Sequence, residues 1–308
     1  MTIIALPRPK DDELYSFLNS IASEGVNNAT RMAYERDIVS FFSYADVTLI
    51  TDVRVKEIQI EQLEQYKNFL MDNGLRASSI NRTLSALRQF FKRMVAKKII
   101  EHSPMDLISN IKVEPSVVGK SISRDEVEAM INLARCREDP IMALRDVALL
   151  TLLVYGGLRR EEASDAKWQH IIEEGGHKVL LLPETKSQVG QHIKIAPRAY
   201  GALQACRDIY PDEVRGPTGH IFISLSRNQN YGKRLSPNSI RRIVAGYGKR
   251  IGLNITAHML RHTCCTLAIE GGAKPHQVQA HLRHKNIATT MLYFDAKDQL
   301  TDNATDYI

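Results

Sequence analysis

The chain has 308 residues, about twice the ~150 expected of one domain, so two domains are the default reading. Hydrophobic residues at 44% and charged residues at 25% exclude a disordered, collagenous or fibrous protein. The longest apolar run, Val147 to Leu158, is broken by Thr151 and Gly156-Gly157 and falls short of the ~20 residues of a membrane helix. Ile3-Ile4-Ala5-Leu6 before Pro7 is too short for a secretory segment, so membrane and secreted classes drop out and a cytoplasmic location is expected. The four cysteines (136, 206, 264 and 265) include an adjacent pair and no CxxC, which reads as reduced thiols rather than disulfides or zinc ligands. A net charge of +6 favours a polyanionic partner without identifying one.

In chain order, the first ~110 residues follow the 3.6-residue period of helices. Leu14, Phe17, Leu18, Ile21 and Ala22 form one stripe, closed by Gly25. Tyr34, Ile38, Phe41 and Phe42 form a second, with Asn28 or Thr30 as cap, and Leu63, Tyr66 and Leu70 a third that ends near Gly74. A fourth helix starts after Ser78 or Ser79 and buries Ile80, Leu84, Leu87, Phe91 and Met94. Its opposite face carries Arg82, Ser85, Gln89 and Arg93 with Lys92 beside them, which suits either a DNA groove or an ordinary solvated face. The stretch is basic, with no acid between Asp72 and Glu101.

Pro115, Ser116 and Gly119 mark a linker over 113–120, separating a domain at 11–112 from one at 121–308. Ser123 with Glu126 reads as a capped helix start. Val179–Leu182 and His192–Ile195 read as short strands joined by a polar turn, with Ile221–Ile223 as a weaker third. Between Glu213 and Glu270 there is no acid, while Arg241, Arg242 and seven further Lys or Arg residues occur there; Arg241 and Arg242 are DNA-contact candidates.

Three segments carry the chemistry. In Tyr155-Gly-Gly-Leu-Arg159-Arg-Glu-Glu162, the glycines allow a tight turn, Arg159 opens the next helix and Glu162 is placed to brace it. The second is the turn containing Thr185-Lys186-Ser187, where nothing local distinguishes Lys186 from a solvated lysine. The third is His258-Met-Leu-Arg261-His262, followed by His284 and Tyr293; His258 and Arg261 share a helix face. His258 and His262 also have the spacing of a helical metal pair, with His281, His284, Cys264 and Cys265 nearby. The missing glutamate of HExxH and the presence of Arg261 rank metal behind phosphate.

The order Arg159, Lys186, His258-x-x-Arg261, His284, Tyr293 resembles the tyrosine recombinase (phage integrase) family over roughly residues 11–295. Ser79–Arg88 is similar to the helix of that family's core-binding domain. One departure stands out, because Leu282-Arg283-His284 replaces the family's usual Leu-Gly-His, leaving the geometry at His284 open.

The resemblance implies a mainly α fold with a small β-sheet. A helical core-binding domain and a mixed α/β catalytic domain would form a two-domain DNA clamp, in a simple Xer-like or transposon/integron-like member without an arm-binding domain. It implies a site-specific DNA recombinase that needs no cofactor, metal or ATP. Arg159 and Arg261 would bind the nonbridging oxygens of the scissile phosphate, where negative charge develops. Tyr293 would be the nucleophile, His258 the candidate base, His284 a phosphate donor and Lys186 the acid for the departing 5′-hydroxyl, with Glu162 in support. The product would be a 3′-phosphotyrosyl link, exchanged through a Holliday junction.

The implied partners are a double-stranded recombination site and three further copies in a homo-tetramer on DNA, from a monomer or weak dimer when free. A second recombinase or accessory protein stays open, as does the biological role. The acid-bearing tail beyond Phe294 is expected to dock on a neighbouring protomer. Open alternatives are a type IB topoisomerase or telomere resolvase, an inactive DNA-binding clamp, and a metal-dependent nuclease separable by its sensitivity to EDTA.

Overall fold

The structure is a computed structural model that describes residues 12–26, 28–112, 120–182, 191–226, 230–284, 286–288 and 290–294. The chain divides between Pro115 and Ser116 into two compact units, each with its own core. Among the described residues no helix is long and apolar enough to cross a membrane.

The first unit holds α1 (Glu13–Ser23), α2 (Asn28–Tyr44), α3 (Asp52–Lys56), α4 (Ile60–Asp72) and α5 (Ala77–Ala96). Asp12 caps α1 by accepting from the Leu14 and Tyr15 amides at 2.8 and 3.3 Å, filling two of the donors a helix start leaves orphaned. The apolar stripes converge on an aromatic core in which Phe17 meets Phe90 edge-on at 5.6 Å and Phe41 meets Tyr66 at 5.3 Å. All five apolar positions expected on α5 are buried, and so are Thr83, Ala86 and Phe90. The helix starts slightly earlier than expected, at Ala77, and α3 is an additional turn with no expectation behind it.

The second unit is built on α7 (Pro140–Tyr155). Residues Val147 to Val154 are all buried, so the longest apolar run of the chain is a core helix surrounded on every side. Around it lie α6 (Arg124–Arg135), α8 (Arg160–Asp165), α9 (Pro197–Ile209), α10 (Pro237–Arg250), α11 (Ala257–Glu270) and α12 (Pro275–Leu282). Ser123 opens α6 with a reciprocal capping box, its hydroxyl taking the Glu126 amide at 3.2 Å while Glu126 takes the Ser123 amide at 2.6 Å.

The small sheet is antiparallel in the order β1 (Ile171–Glu174), β2 (His177–Leu182), β3 (Gln191–Lys194), with Leu180 facing Ile171 on one side and Ile193 on the other. β1 had no sequence expectation, and the expected strand at Ile221–Ile223 is not one. Those residues are fully buried, and of them only Ile223 pairs, through a single bridge to Arg234, while His220 just before them bridges Lys167. Their apolar character serves the core rather than a ladder. A buried charged group closes this side of the unit: Asp146 accepts from Arg145 at 2.7 Å, Tyr247 at 2.7 Å and Arg137 at 3.2 Å.

Candidate active site

The turn between α7 and α8 organises the site. Gly157 takes a left-handed φ of +57°, and a Cβ there would stand 2.5 Å from a Leu282 methyl, so only glycine fits both backbone and space. Its carbonyl accepts from the Arg261 guanidinium at 2.5 Å, and Arg261 also donates to the Leu282 carbonyl. Arg261 is thereby buried on α11 and anchored to two other segments. Burial, then the Arg159 and Arg283 cations, pull it down to about 10, so it stays charged at neutral pH.

Arg159 is the N-cap of α8. Glu162 reaches back with one carboxylate oxygen to the Arg159 amide at 2.8 Å and with the other to its guanidinium at 2.7 Å. Arg160 instead pairs with Glu161 at 3.2 Å, which separates the two neighbouring arginines by partner. Arg159, Arg160, Arg241 and His258 line one open pocket of about 440 Å³ together with Thr256 and Glu161, so its charged lining is three arginines against one glutamate. Lys186 lies outside the described residues.

His258 and His262 stand one turn apart on α11 with rings edge to face at 4.4 Å. The Tyr293 hydroxyl meets Nδ1 of His262, with its ring tilted 31° to the imidazole at 5.6 Å. Tyr293 is buried against Cys264, Cys265, Ile269, Val278 and Leu282, a small apolar cluster apart from the main core. His284 meets the buried Thr290 hydroxyl through Nδ1 at 2.9 Å, which fixes its ring plane.

Burial lowers all three histidines, and interactions with neighbouring titratable groups lower them further. Arg261 and Arg159 act on His258; His258 and Arg261 take His262 to about 4; Arg261, Arg159 and other neighbours take His284 to about 4. At neutral pH the imidazoles are therefore uncharged, and arginine carries the positive charge of the site. This is an arrangement that can hold an oxyanion while offering neutral nitrogens for proton transfer.

The structure thus brings together Arg159, Glu162, His258, Arg261, His284 and Tyr293. His262 was visible in the sequence as the residue four after His258, but its contact with Tyr293, 31 residues on, is purely tertiary. On α5, Arg82, Gln89, Lys92 and Arg93 are exposed and Ser85 half-buried, with Arg82 already paired to Asp37 of α2 at 2.9 and 3.0 Å. Arg242 is exposed on α10, where its guanidinium donates to Ser239 at 3.3 Å.

Comparison with known proteins accords with this geometry. The phage integrase family model matches residues 120–299, and the phage integrase N-terminal SAM-like domain matches residues 14–98. The chain therefore belongs to the phage integrase family, that of the tyrosine recombinases, and by class it is a site-specific recombinase.

Among its relatives, tyrosine recombinase XerC of Thermodesulfovibrio yellowstonii is 29% identical, over 90% of this chain and 89% of that protein. Tyrosine recombinase XerD of Listeria monocytogenes is 27% identical, over 92% of this chain and 93% of its own length. The fold matches that of XerH recombinase bound to a difH substrate, at a TM-score of 0.72 and 18% identity, covering 98% of this chain and 90% of that one. It also matches lambda integrase in a tetramer bound to a Holliday junction, at a TM-score of 0.67 and 21% identity, covering 89% and 76%.

Proposed function

We propose that this recombinase cleaves each DNA strand by attack of the Tyr293 hydroxyl oxygen on a backbone phosphorus, forming a 3′-phosphotyrosyl bond as the bond to the 5′-oxygen breaks. The phenol proton passes to a neutral imidazole, with His262 in contact and His258 behind it. Arg159 and Arg261 carry the nonbridging oxygens, and His284, held at Nδ1 by Thr290, offers Nε2 to the same phosphate. Lys186 returns a proton to the departing 5′-oxygen. A 5′-hydroxyl of the second duplex then reverses the step, so bond energy is conserved and no cofactor is consumed.

The observation that carries this reading is the juxtaposition of the Tyr293 phenol with two neutral imidazoles on the same helix as the anchored Arg261. The reading extends to four protomers on two DNA sites, exchanging strands through a Holliday junction. The partition is a core-binding domain at 11–112, a linker at 113–120 and a catalytic domain at 121–308, in a cytoplasmic, nucleoid-associated protein. The polar face of α5, with Arg241 and Arg242 of α10, would contact the duplex, and the tail beyond residue 295 would dock on the adjacent protomer.

The test is covalent trapping. Sites selected from random DNA carry a nick beside the cleavage position, and wild type and Tyr293→Phe are compared on denaturing gels in EDTA. An adduct in wild type alone supports the reading. Tight binding with no adduct on any selected site would replace it with an inactive DNA-binding protein.

A further inference from the structure

Arg283 is the least expected residue near the site. It sits at φ +56°, a conformation that L side chains rarely adopt, immediately after α12 and before His284. Its side chain is only 3% exposed, although a surface arginine at a helix end would normally reach water. It is committed instead to three acceptors: Glu162 at 2.7 Å, the His281 carbonyl at 2.9 Å and the Gly157 carbonyl at 3.5 Å.

Glu162 is where these contacts matter. One of its oxygens takes the Arg159 guanidinium; the other takes both the Arg159 amide and Arg283. Burial would raise this carboxyl, but Arg283, followed by Arg159, outweighs it and holds the group below its ordinary range. The carboxylate is therefore fixed in position and ionised. Without Arg283 the carboxylate would keep only its bonds to Arg159 itself, and the Arg159 side chain, 40% exposed at the pocket, would lose the outside anchor that fixes the pair.

We infer that Arg283 is a positioning residue, whose guanidinium clamps the Glu162 carboxylate and through it orients Arg159 for the phosphate. The inference rests on the phosphotyrosyl reading for its consequence in catalysis, but the geometry it asserts does not depend on DNA. Arg283 spends Nη1 on the His281 carbonyl and Nη2 on Glu162, while its buried Nε meets no partner among the described residues, so its effect on the phosphate is exerted through Arg159. Its left-handed backbone is the cost of presenting a cation here, where glycine would be relaxed. The same residue joins the segment bearing His284 to the turn bearing Arg159, so the two halves of the anion site share one register.

Arg283→Gly separates this role from simple packing, because glycine relieves the backbone while removing the clamp. The expected result is a modest fall in melting temperature, because relief of the left-handed backbone offsets only part of the lost buried pair, with unchanged DNA affinity and single-turnover cleavage slower by about ten- to a hundredfold, the range seen when outer-shell partners are removed. Arg283→Lys, which keeps the charge, should recover part of the rate. In a Glu162→Gln background, Arg283→Gly should cost little more, since both changes break one linkage. Wild-type cleavage by Arg283→Gly, or losses that multiply with Glu162→Gln, would overturn the proposal.

A second readout needs no turnover. Arginine Nη–H NMR spectra of the free protein, with Arg159 assigned by Arg159→Lys, should have a slowly rotating Arg159 guanidinium, held through Nη1 by Glu162, that Arg283→Gly averages towards free arginine. An unaltered signal would overturn the clamp even if cleavage slows. If wild type forms no adduct, the phosphotyrosyl reading fails while this spectrum still decides the positioning role.

Discussion

Replacing Gly157 by alanine probes the turn on which both buried arginines converge, and a control within the same chain isolates its two costs. Gly157 and Gly175 share a φ of +57°, but a Cβ at Gly157 lies 2.5 Å from Leu282 Cδ2 and 3.3 Å from Cys264 Sγ, whereas one at Gly175 meets nothing within 4 Å. The left-handed backbone costs an alanine about 1–2 kcal/mol at either position. Making room beside Leu282 adds about 1–3 kcal/mol, so Gly157→Ala should lose about 2–5 kcal/mol in all.

For a unit of this size each kcal/mol moves the melting temperature by about 2–4 °C, giving falls of roughly 4–20 °C for Gly157→Ala and 2–8 °C for Gly175→Ala. The chain has a single tryptophan, Trp168, so its fluorescence follows the second unit alone. Cleavage should also fall about 10²-fold in Gly157→Ala only, since displacing the carbonyl shared by Arg261 and Arg283 misplaces the anion site. Equal melting temperatures and equal cleavage in the two variants would refute the packing argument.

Asp146→Ala should destabilise the second unit by about 3–5 kcal/mol in urea titrations, because Arg145, 5% exposed, loses its buried counter-charge. His262→Phe should keep the ring and the fold but slow adduct formation by about 10²–10⁴-fold, and a wild-type rate would remove His262 from the proton path. Stability should fall with acid: His262 and His284 are held near 4 when folded against 6.5 unfolded, so the unfolded chain takes up protons first. The contribution is complete above about pH 6.5 and is lost as pH falls towards 4; His284→Asn should flatten the melting temperature measured between pH 7 and 5.

The long amphipathic helices were legible because periodicity summed over many residues outweighs local ambiguity, and α5 buries every residue expected of it. The strands were less so. β1 ends in Glu173-Glu174, both exposed, and carries little apolar signal, while Ile221–Ile223 has that signal for the core without a ladder. In the site, order and spacing pointed to Arg159, His258, Arg261, His284 and Tyr293, but spacing alone assigns no hydrogen bonds. That Tyr293 meets His262, and that Arg283 occupies a glycine-like conformation by pairing with a carboxylate 121 residues away, depend on chain-distant contacts.

The ion pair between Arg82 and Asp37 changes what a salt titration of DNA binding can count. A cation gives a salt dependence only when a phosphate takes it over and displaces condensed counterions, about 0.9 in log–log slope for each phosphate neutralised on duplex DNA. Arg82 already has a carboxylate at 2.9 Å, so on the proposed contact of α5 with the duplex only Lys92 and Arg93 of its three exposed-face cations should register, about 1.8 in slope. Asp37→Asn would release Arg82 and steepen the dependence by about 0.9 while weakening the bond between α2 and α5. The same substitution would thus make the protein less stable and its hold on DNA more sensitive to ionic strength, and a slope that stayed constant would mean that Arg82 never faces a phosphate.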